Sequence, residues 1–274
     1  CNGANAGHLS PIAAGGVLVN ALMRSAGVGG HEWLVWGTNF GAHLAAGVVA
    51  FVLFGGLRLT WRAVAATTHD SLVPLGRRHW ITLVVVHLWI AGVVLAKLPP
   101  GPSAFAAAAL LILAGTVDDS AAVNAVPWNV LLMLSGVSVL IGVLEKTGGM
   151  ELFTTMLARI SSPATVNGAI AFITGIISSY SSTIGVVYPA FLPSVPGLVA
   201  KLGGGSVLQV MLSINVGAAL VDVSPLSTIG ALGLAAVPAS QDVRAVFRKM
   251  LLWGYAMAVV GALFALFVIP VLAR

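Results

Sequence analysis

From Ile160 to Ala200 the chain carries no Asp, Glu, Lys or Arg. That run is about 40 residues, or roughly 60 Å as one helix at ~1.5 Å per residue. A bilayer's hydrocarbon core is only ~30 Å thick. The middle of the run reads Ser178-Ser179-Tyr180-Ser181-Ser182-Thr183, a polar stretch that is costly in lipid. Only about 20 Å of helix precedes it. The pattern predicts two helices over 164–200 that enter the membrane and turn inside it. Such a re-entrant hairpin is tolerated only where protein buries it or where it lines a wet cavity.

The rest of the chain agrees with a membrane setting. Trp33–Leu57, Trp80–Ala96, Leu98–Val117, Ser120–Leu144 and Met250–Ala273 also lack all four charged types. Each is near the ~20 residues that a crossing helix needs. They are apolar all round and show no series of alternating segments, which excludes an outer-membrane barrel. Apolar residues make up 58% and charged ones 8%, against about 45–50% and 25% in soluble domains. A soluble enzyme, a disordered chain and a nucleic-acid-binding domain are excluded; the partner that composition implies is the lipid bilayer. The single cysteine, Cys1, rules out an internal disulfide and a thiolate metal site.

Basic residues set the orientation. Arg58, Arg62, Arg77 and Arg78 fall between two spans, and Arg244, Arg248 and Lys249 are expected in a second loop. Both belong in the cytoplasm. Spans at 80–117, 128–144 and 250–272, the hairpin 164–200 and a broken span 206–239 return both loops to one side. His43 and His87 fall mid-span, where each is expected to hydrogen-bond between helices. Asp118 and Asp119 read as a solvated loop.

Two segments match at an offset of 214. Gly3-Ala4 and Ser10-Pro11 through Gly16 and Leu18 align with Gly217-Ala218 and Ser224-Pro225 through Gly230 and Leu232. Trp36-Gly37 and Trp253-Gly254 then each open a long apolar span. By the charge count the two units run in opposite directions, which predicts an inverted repeat. Residues 1–77 read as the tail of the first unit and 78–274 as the second. The expectation is that this chain lacks the N-terminal part of the first unit.

Ser-Pro inside an apolar segment breaks a helix. Pro removes a donor and displaces the preceding residue from helical geometry. The freed carbonyls and hydroxyls suit a hard cation, and half-helix N-termini suit a carboxylate. Ser181, Ser182 and Thr183 at the hairpin tip offer the same chemistry. So do Ser224, Ser227 and Thr228 at one break, and Asn5 and Ser10 at the other. Asp222 is the sharpest single residue, because a carboxylate deep in a span is expensive and usually functional. It reads either as an ion-coupling site or as a cap on the break. His8 occupies the matching position of the first unit and reads as its counterpart or as a structural histidine.

The tip followed by Tyr188-Pro189, and then the broken Ser224-Pro225 helix, resembles the ion-transporter superfamily. That group includes divalent-anion:sodium symporters, arsenite exporters and some Na⁺/H⁺ antiporters. Val126-Pro127-Trp128-Asn129 through Ser135-Gly136, with Leu144-Glu145-Lys146-Thr147-Gly148, is similar to the superfamily's helix before its second hairpin. Asn5 through Pro11, with Asp222 through Thr228, looks most like MatC-type dicarboxylate (malonate) carriers. The resemblance implies an elevator-type carrier, a homodimer, and a Ser-Asn-Thr tip that binds a substrate carboxylate and Na⁺. Here that tip reads Ser181-Ser182-Thr183, without the central Asn. Na⁺ at Ser181, Thr183 and Asp222 is the corresponding expectation, with H⁺ as the other coupling ion and no further cofactor.

No nucleophile elbow, Walker A or dinucleotide glycine pattern occurs, so neither an enzyme nor an ATP-driven pump is expected. The fold expected is an all-α polytopic membrane protein, an inverted-repeat secondary transporter with a re-entrant hairpin and broken helices. It is expected to be multi-pass in a bacterial-type inner (plasma) membrane. The function expected is transport of a small, malonate-like dicarboxylate coupled to Na⁺ or H⁺. A cation/H⁺ antiporter or oxyanion exporter of the same superfamily is the alternative, and a non-transporting scaffold subunit is the reading from another class.

Overall fold

A computed structural model of the chain describes residues 2–58, 75–124, 126, 128–237 and 241–274. Arg62 in the first basic loop and the last residues of the 206–239 span lie outside them. Every regular element among the described residues is helical. In chain order these are α1 (Asn2–Gly7), α2 (Ala14–Ser25), α3 (Glu32–Leu53), α4 (Arg77–Leu95), α5 (Pro100–Leu113), α6 (Asp119–Asn124), α7 (Trp128–Lys146) and α8 (Gly149–Ile160). Then come α9 (Val166–Ser178), a π-turn over Thr183–Val187 that runs into α10 (Tyr188–Phe191), α11 (Val195–Leu202), α12 (Val207–Val221), α13 (Thr228–Ala235), α14 (Val243–Phe267) and α15 (Ile269–Leu272). Glu32–Leu53, Arg77–Leu95, Thr183–Leu202 and Val243–Leu272 are long and apolar enough to cross a membrane. The protein is an all-α polytopic membrane protein.

The long uncharged run divides where its polar middle requires. α9 has 13 residues, about 20 Å at ~1.5 Å per residue, and stops at Ser178. The chain turns through Ser179–Ser182 and returns from Thr183 to Leu202, where Gly203 at φ 67 ends it.

Three details differ from expectation. Arg244, Arg248 and Lys249 stand on the first turns of α14 rather than in a loop. Asp242 starts that helix early, because its carboxylate accepts the N–H groups of Arg244 (2.9 Å) and Ala245 (3.2 Å). His87 bonds within its own helix, its Nδ1 lying 2.7 Å from the Leu83 carbonyl. α8 was not anticipated. It follows a left-handed Gly148 and buries Thr154 and Leu157 while Leu152, Met156 and Ile160 stay exposed. Lys201 ties it to α11 by donating to the Glu151 carbonyl (2.9 Å) and the Thr155 hydroxyl (2.6 Å).

The chain forms two compact units, residues 50–129 and residues 1–49 with 130–274. In the smaller one, α4 and α5 pair, and Trp89 Nε1 donates to Ser103 Oγ (3.1 Å). None of the residues of α4, α5 and α6 is buried. Trp80, Leu88, Leu95, Phe105 and Leu113 stand exposed, as side chains in contact with lipid do. Asp118 caps α6, and its bonds from the Ser120 hydroxyl and the Ala121 N–H hold its carboxyl below the usual range.

In the larger unit α9, α12 and α14 pack together at the centre. Glycines let their backbones touch. A Cβ on Gly217 would stand 2.5 Å from the Ala171 carbonyl oxygen, and one on Gly261 would stand 3.2 Å from Gly217 Cα. Small residues are how membrane helices gain van der Waals contact when lipid offers no hydrophobic drive. Gly217→Ala should therefore destabilise the protein by about 1–3 kcal/mol. Gly41→Ala on α3, where a Cβ meets nothing within 4 Å, should leave stability unchanged or slightly raised. Thermal unfolding of the two purified variants in detergent checks the pair.

Candidate functional site

The two Ser-Pro segments break their helices in the same way. α1 ends at Gly7 and α2 begins at Ala14; α12 ends at Val221 and α13 begins at Thr228. Between them three hydrogen bonds recur at the 214-residue offset. Ser10 N–H donates to Gly7 O (3.0 Å), and Ser224 N–H to Val221 O (2.8 Å). Ala13 N–H donates to Ser10 O (2.9 Å), and Ser227 N–H to Ser224 O (3.0 Å). The Ser10 and Ser224 hydroxyls each accept the amide two residues on, at 3.4 Å. Each bend folds its carbonyl back onto the next helix. A Cβ on Gly16 would collide with the Ser10 carbonyl, and one on Gly230 with the Ser224 carbonyl. Only glycine fits at either place.

The breaks differ at their caps. Ala13 gives α2 no side-chain cap. Ser227 caps α13 by accepting Gly230 N–H (3.4 Å), and its own proton serves the Asp222 carbonyl (2.8 Å) or the Ser224 carbonyl (2.7 Å). Ser224 is fully buried and packs on α14, where a Cβ on Gly254 would stand 3.0 Å from Ser224 Cβ. Thr228 is the first residue of α13.

The hairpin tip sits against the second break. Ser178 Oγ donates to the Ala218 carbonyl (2.9 Å) and lies 2.6 Å from Thr183 Oγ1. Thr183 and Ser227 both face the Asp222 carboxyl. Ser182 caps the returning arm by accepting Gly185 N–H (3.0 Å), which keeps its own proton for donation. Ser181 does not join them. It bonds to the Ile177 carbonyl of its own helix (2.7 Å).

The tip also meets the first break. A Cβ on Gly15, in the first turn of α2, would stand 3.2 Å from Ile184 Cδ1 and 2.7 Å from His8 Cδ2. The His8 ring lies parallel to Tyr188, with centroids 6.1 Å apart. Its Nδ1 is 3.1 Å from Asn5 O, and its Nε2 is 3.5 Å from Tyr188 Oη. Tyr188 is fully buried and donates to the Asn215 carbonyl (3.2 Å). On α3, Asn39 Nδ2 donates to Asn5 O (2.8 Å), and the ring of His43 spans from the Asn39 carbonyl to that of Ala219. His43 is thus the interhelical bonder expected of it.

Several polar atoms here make no hydrogen bond among the described residues: both side-chain atoms of Asn5, and the Oδ1 atoms of Asn39, Asn215 and Asp222. Asn5, Asn39 and Asn215 are fully buried, and Asp222 nearly so. An unmade bond of this kind costs about 1–3 kcal/mol, so each of these groups calls for a partner.

Thus Thr183 and Ser227 come together at Asp222, and Ser182 and Ser224 cap or line the same two segments. The first break meets the hairpin where His8 stacks on Tyr188 and Gly15 approaches Ile184. Asn5 lies behind His8, and Ser10 bonds within its own bend. Tyr188, Ser178, Asn39 and Asn215 were not singled out as site residues from the sequence. The readable signal was Asn39 and His43 at i and i+4, one polar face on an otherwise apolar helix.

The breaks depend on their glycines, so Gly16→Ala and Gly230→Ala should each cost at least about 1–3 kcal/mol. Gly197→Ala, where a Cβ meets nothing within 4 Å, should not. Melting temperatures of the three purified variants decide this.

A profile of the citrate transporter family (CitMHS) matches residues 3–217. The matched stretch takes in the first break and the whole hairpin and ends in α12, before Asp222. No curated protein and no solved structure matches the chain. Most of the chain is nevertheless covered by the family profile, and the geometry is that of a polytopic membrane protein with broken helices. The chain belongs to the citrate transporter family, whose members are secondary transporters of citrate-like carboxylates and not enzymes.

Proposed function

We propose that this chain moves a small di- or tricarboxylate, malonate-like or citrate-like, across a bacterial-type inner membrane, coupled to H⁺ or Na⁺. One observation carries the reading. The N-termini of α2, of the returning hairpin arm and of α13 are drawn together, with Ile184 against Gly15 and Thr183 beside Asp222 and Ser227. Helix N-termini present unsatisfied amides and the positive end of the helix dipole. Three of them in one place suit a multiply charged carboxylate. The Ser182 hydroxyl and the Asn5 amide add neutral donors, and Ser10, Ser224, Ser227 and Thr228 hold the breaks open.

Asp222 is the coupling site in this reading. A carboxylate beside an anionic substrate needs a positive charge or a proton. The hydroxyls that face it are already committed. Ser227 spends its proton on backbone carbonyls, and Thr183 spends its own on Ser178, whose proton goes to Ala218. A protonated Asp222 can donate to one of these oxygens, and a Na⁺ ion can be held by the carboxylate with Thr183. Ser181, bonded to its own helix, contributes less to such an ion than expected. Asp222 also favours the second reading, a cation/H⁺ antiporter of the same superfamily.

The correspondence of the two breaks supports an inverted repeat. Elevator motion of the hairpin with the broken helix and a homodimer complete the proposal.

The test is uptake of labelled citrate and malonate by the full-length gene product in proteoliposomes. It is run with an inward H⁺ gradient, an inward Na⁺ gradient, or neither. Uptake should follow one gradient. Ser182→Ala or Thr183→Ala should lower it about tenfold or more, the worth of a hydrogen bond to a charged group. Asp222→Asn should abolish the gradient's effect. Uptake of neither acid, or an Asp222→Asn variant with unaltered gradient dependence, contradicts the proposal.

A further inference from the structure

His43 lies on α3 with 2% of its surface exposed. Both ring nitrogens face backbone carbonyl oxygens. Nδ1 is 3.0 Å from Asn39 O, one turn back on the same helix, and Nε2 is 3.2 Å from Ala219 O on α12. A carbonyl only accepts. A neutral imidazole carries one N–H, so one of its nitrogens would turn a lone pair toward an oxygen at hydrogen-bond distance. Flipping the ring gives no escape, because it sets Cδ2 and Cε1 against the same two oxygens and leaves both bonds unmade. The protonated ring has an N–H for each carbonyl.

From this geometry we infer that His43 is a proton-binding site, and that its doubly protonated ring ties α3 to the broken end of α12. The surroundings fit a cation. Ala219 is in the last turn of α12, where the dipole is negative; its carbonyl also accepts the Asp222 N–H (3.2 Å) and has a second lone pair for the ring. The next turn ends at Asp222, whose Oδ1 makes no bond among the described residues. The other titratable neighbours are His8, just past the end of the adjoining α1, and Tyr188, which bonds to α12 at Asn215. α1 also grips the His43 position from behind, Asn2 Nδ2 donating to the His43 carbonyl (3.0 Å).

When the proton leaves, one of the two contacts becomes lone pair against carbonyl oxygen and the tie loosens. Protonation therefore controls how α3 holds the second break. This deepens the coupling half of the preceding reading and rests on it for its role in transport, but the charge on the ring can be read without any transport.

The experiment is ¹⁵N NMR of the histidine-labelled full-length protein in lipid nanodiscs at about pH 7, where a free imidazole is mostly neutral. A signal with both ring nitrogens protonated, absent from His43→Gln, is expected. Neutral-tautomer shifts for His43 overturn the inference. If His43→Gln does not fold, a chain with every other histidine replaced by Gln assigns the same signal. Proton-gradient-driven citrate uptake is measured alongside, and His43→Gln should lower it about tenfold, within the usual range of coupling. A doubly protonated ring in a protein that takes up neither citrate nor malonate would sink the transport reading and leave the proton site standing. Gradient-driven uptake with a neutral His43 would do the reverse.

Discussion

Inside a bilayer every backbone polar group must find its partner within the protein. A Ser-Pro pair in a membrane helix violates that rule locally, and this chain does so twice. The surrounding structure answers each violation. Carbonyls near the end of α12 are met in turn by Tyr188 at Asn215, Ser178 at Ala218 and His43 at Ala219. Those three side chains come from both arms of the hairpin and from α3. These three contacts tie the tip and α3 to the broken end of α12.

The same need sets the packing. Side chains reach the α12 carbonyls only if the helices approach closely, and glycine is what allows it. Gly175 and Gly217 bring α9 onto α12, and Gly261 and Gly254 bring α14 onto α12 and its break. At the bends, Gly16 and Gly230 let the chain fold back on itself. Among the described residues, buried side-chain atoms without a hydrogen-bond partner lie on Asn5, Asn39, Asn215 and Asp222 around the two breaks and on Trp36 and Asn167 elsewhere.

Much of this was legible in the sequence because its causes are local. An uncharged run too long for one crossing, with hydroxyls in the middle, can only turn back, and it does so at Ser178–Thr183. Ser224-Pro225 and Ser10-Pro11 announced the breaks through proline's missing donor. Helix starts were less legible, since Asp242 extends α14 through three basic residues that look like a loop. α8 carries a charge near each end, Glu151 and Arg159, so no long uncharged stretch marks it. The contacts of Tyr188 with Asn215 and of His43 with Ala219 join residues far apart in the chain, and no local pattern gives the partner. Ser181 had the right chemistry and the right place, but its hydroxyl turned to its own backbone, the common fate of Ser in membrane helices.

The central claim is that the two breaks and the hairpin tip form one carboxylate site. The most direct measurement is a structure of the full-length protein determined by electron cryo-microscopy at saturating citrate. The account predicts ligand density bounded by the first turns of α2 and α13 and by Ser182, within hydrogen-bond reach of Asn5. Density elsewhere, with the tip and both breaks in contact only with each other, would contradict it.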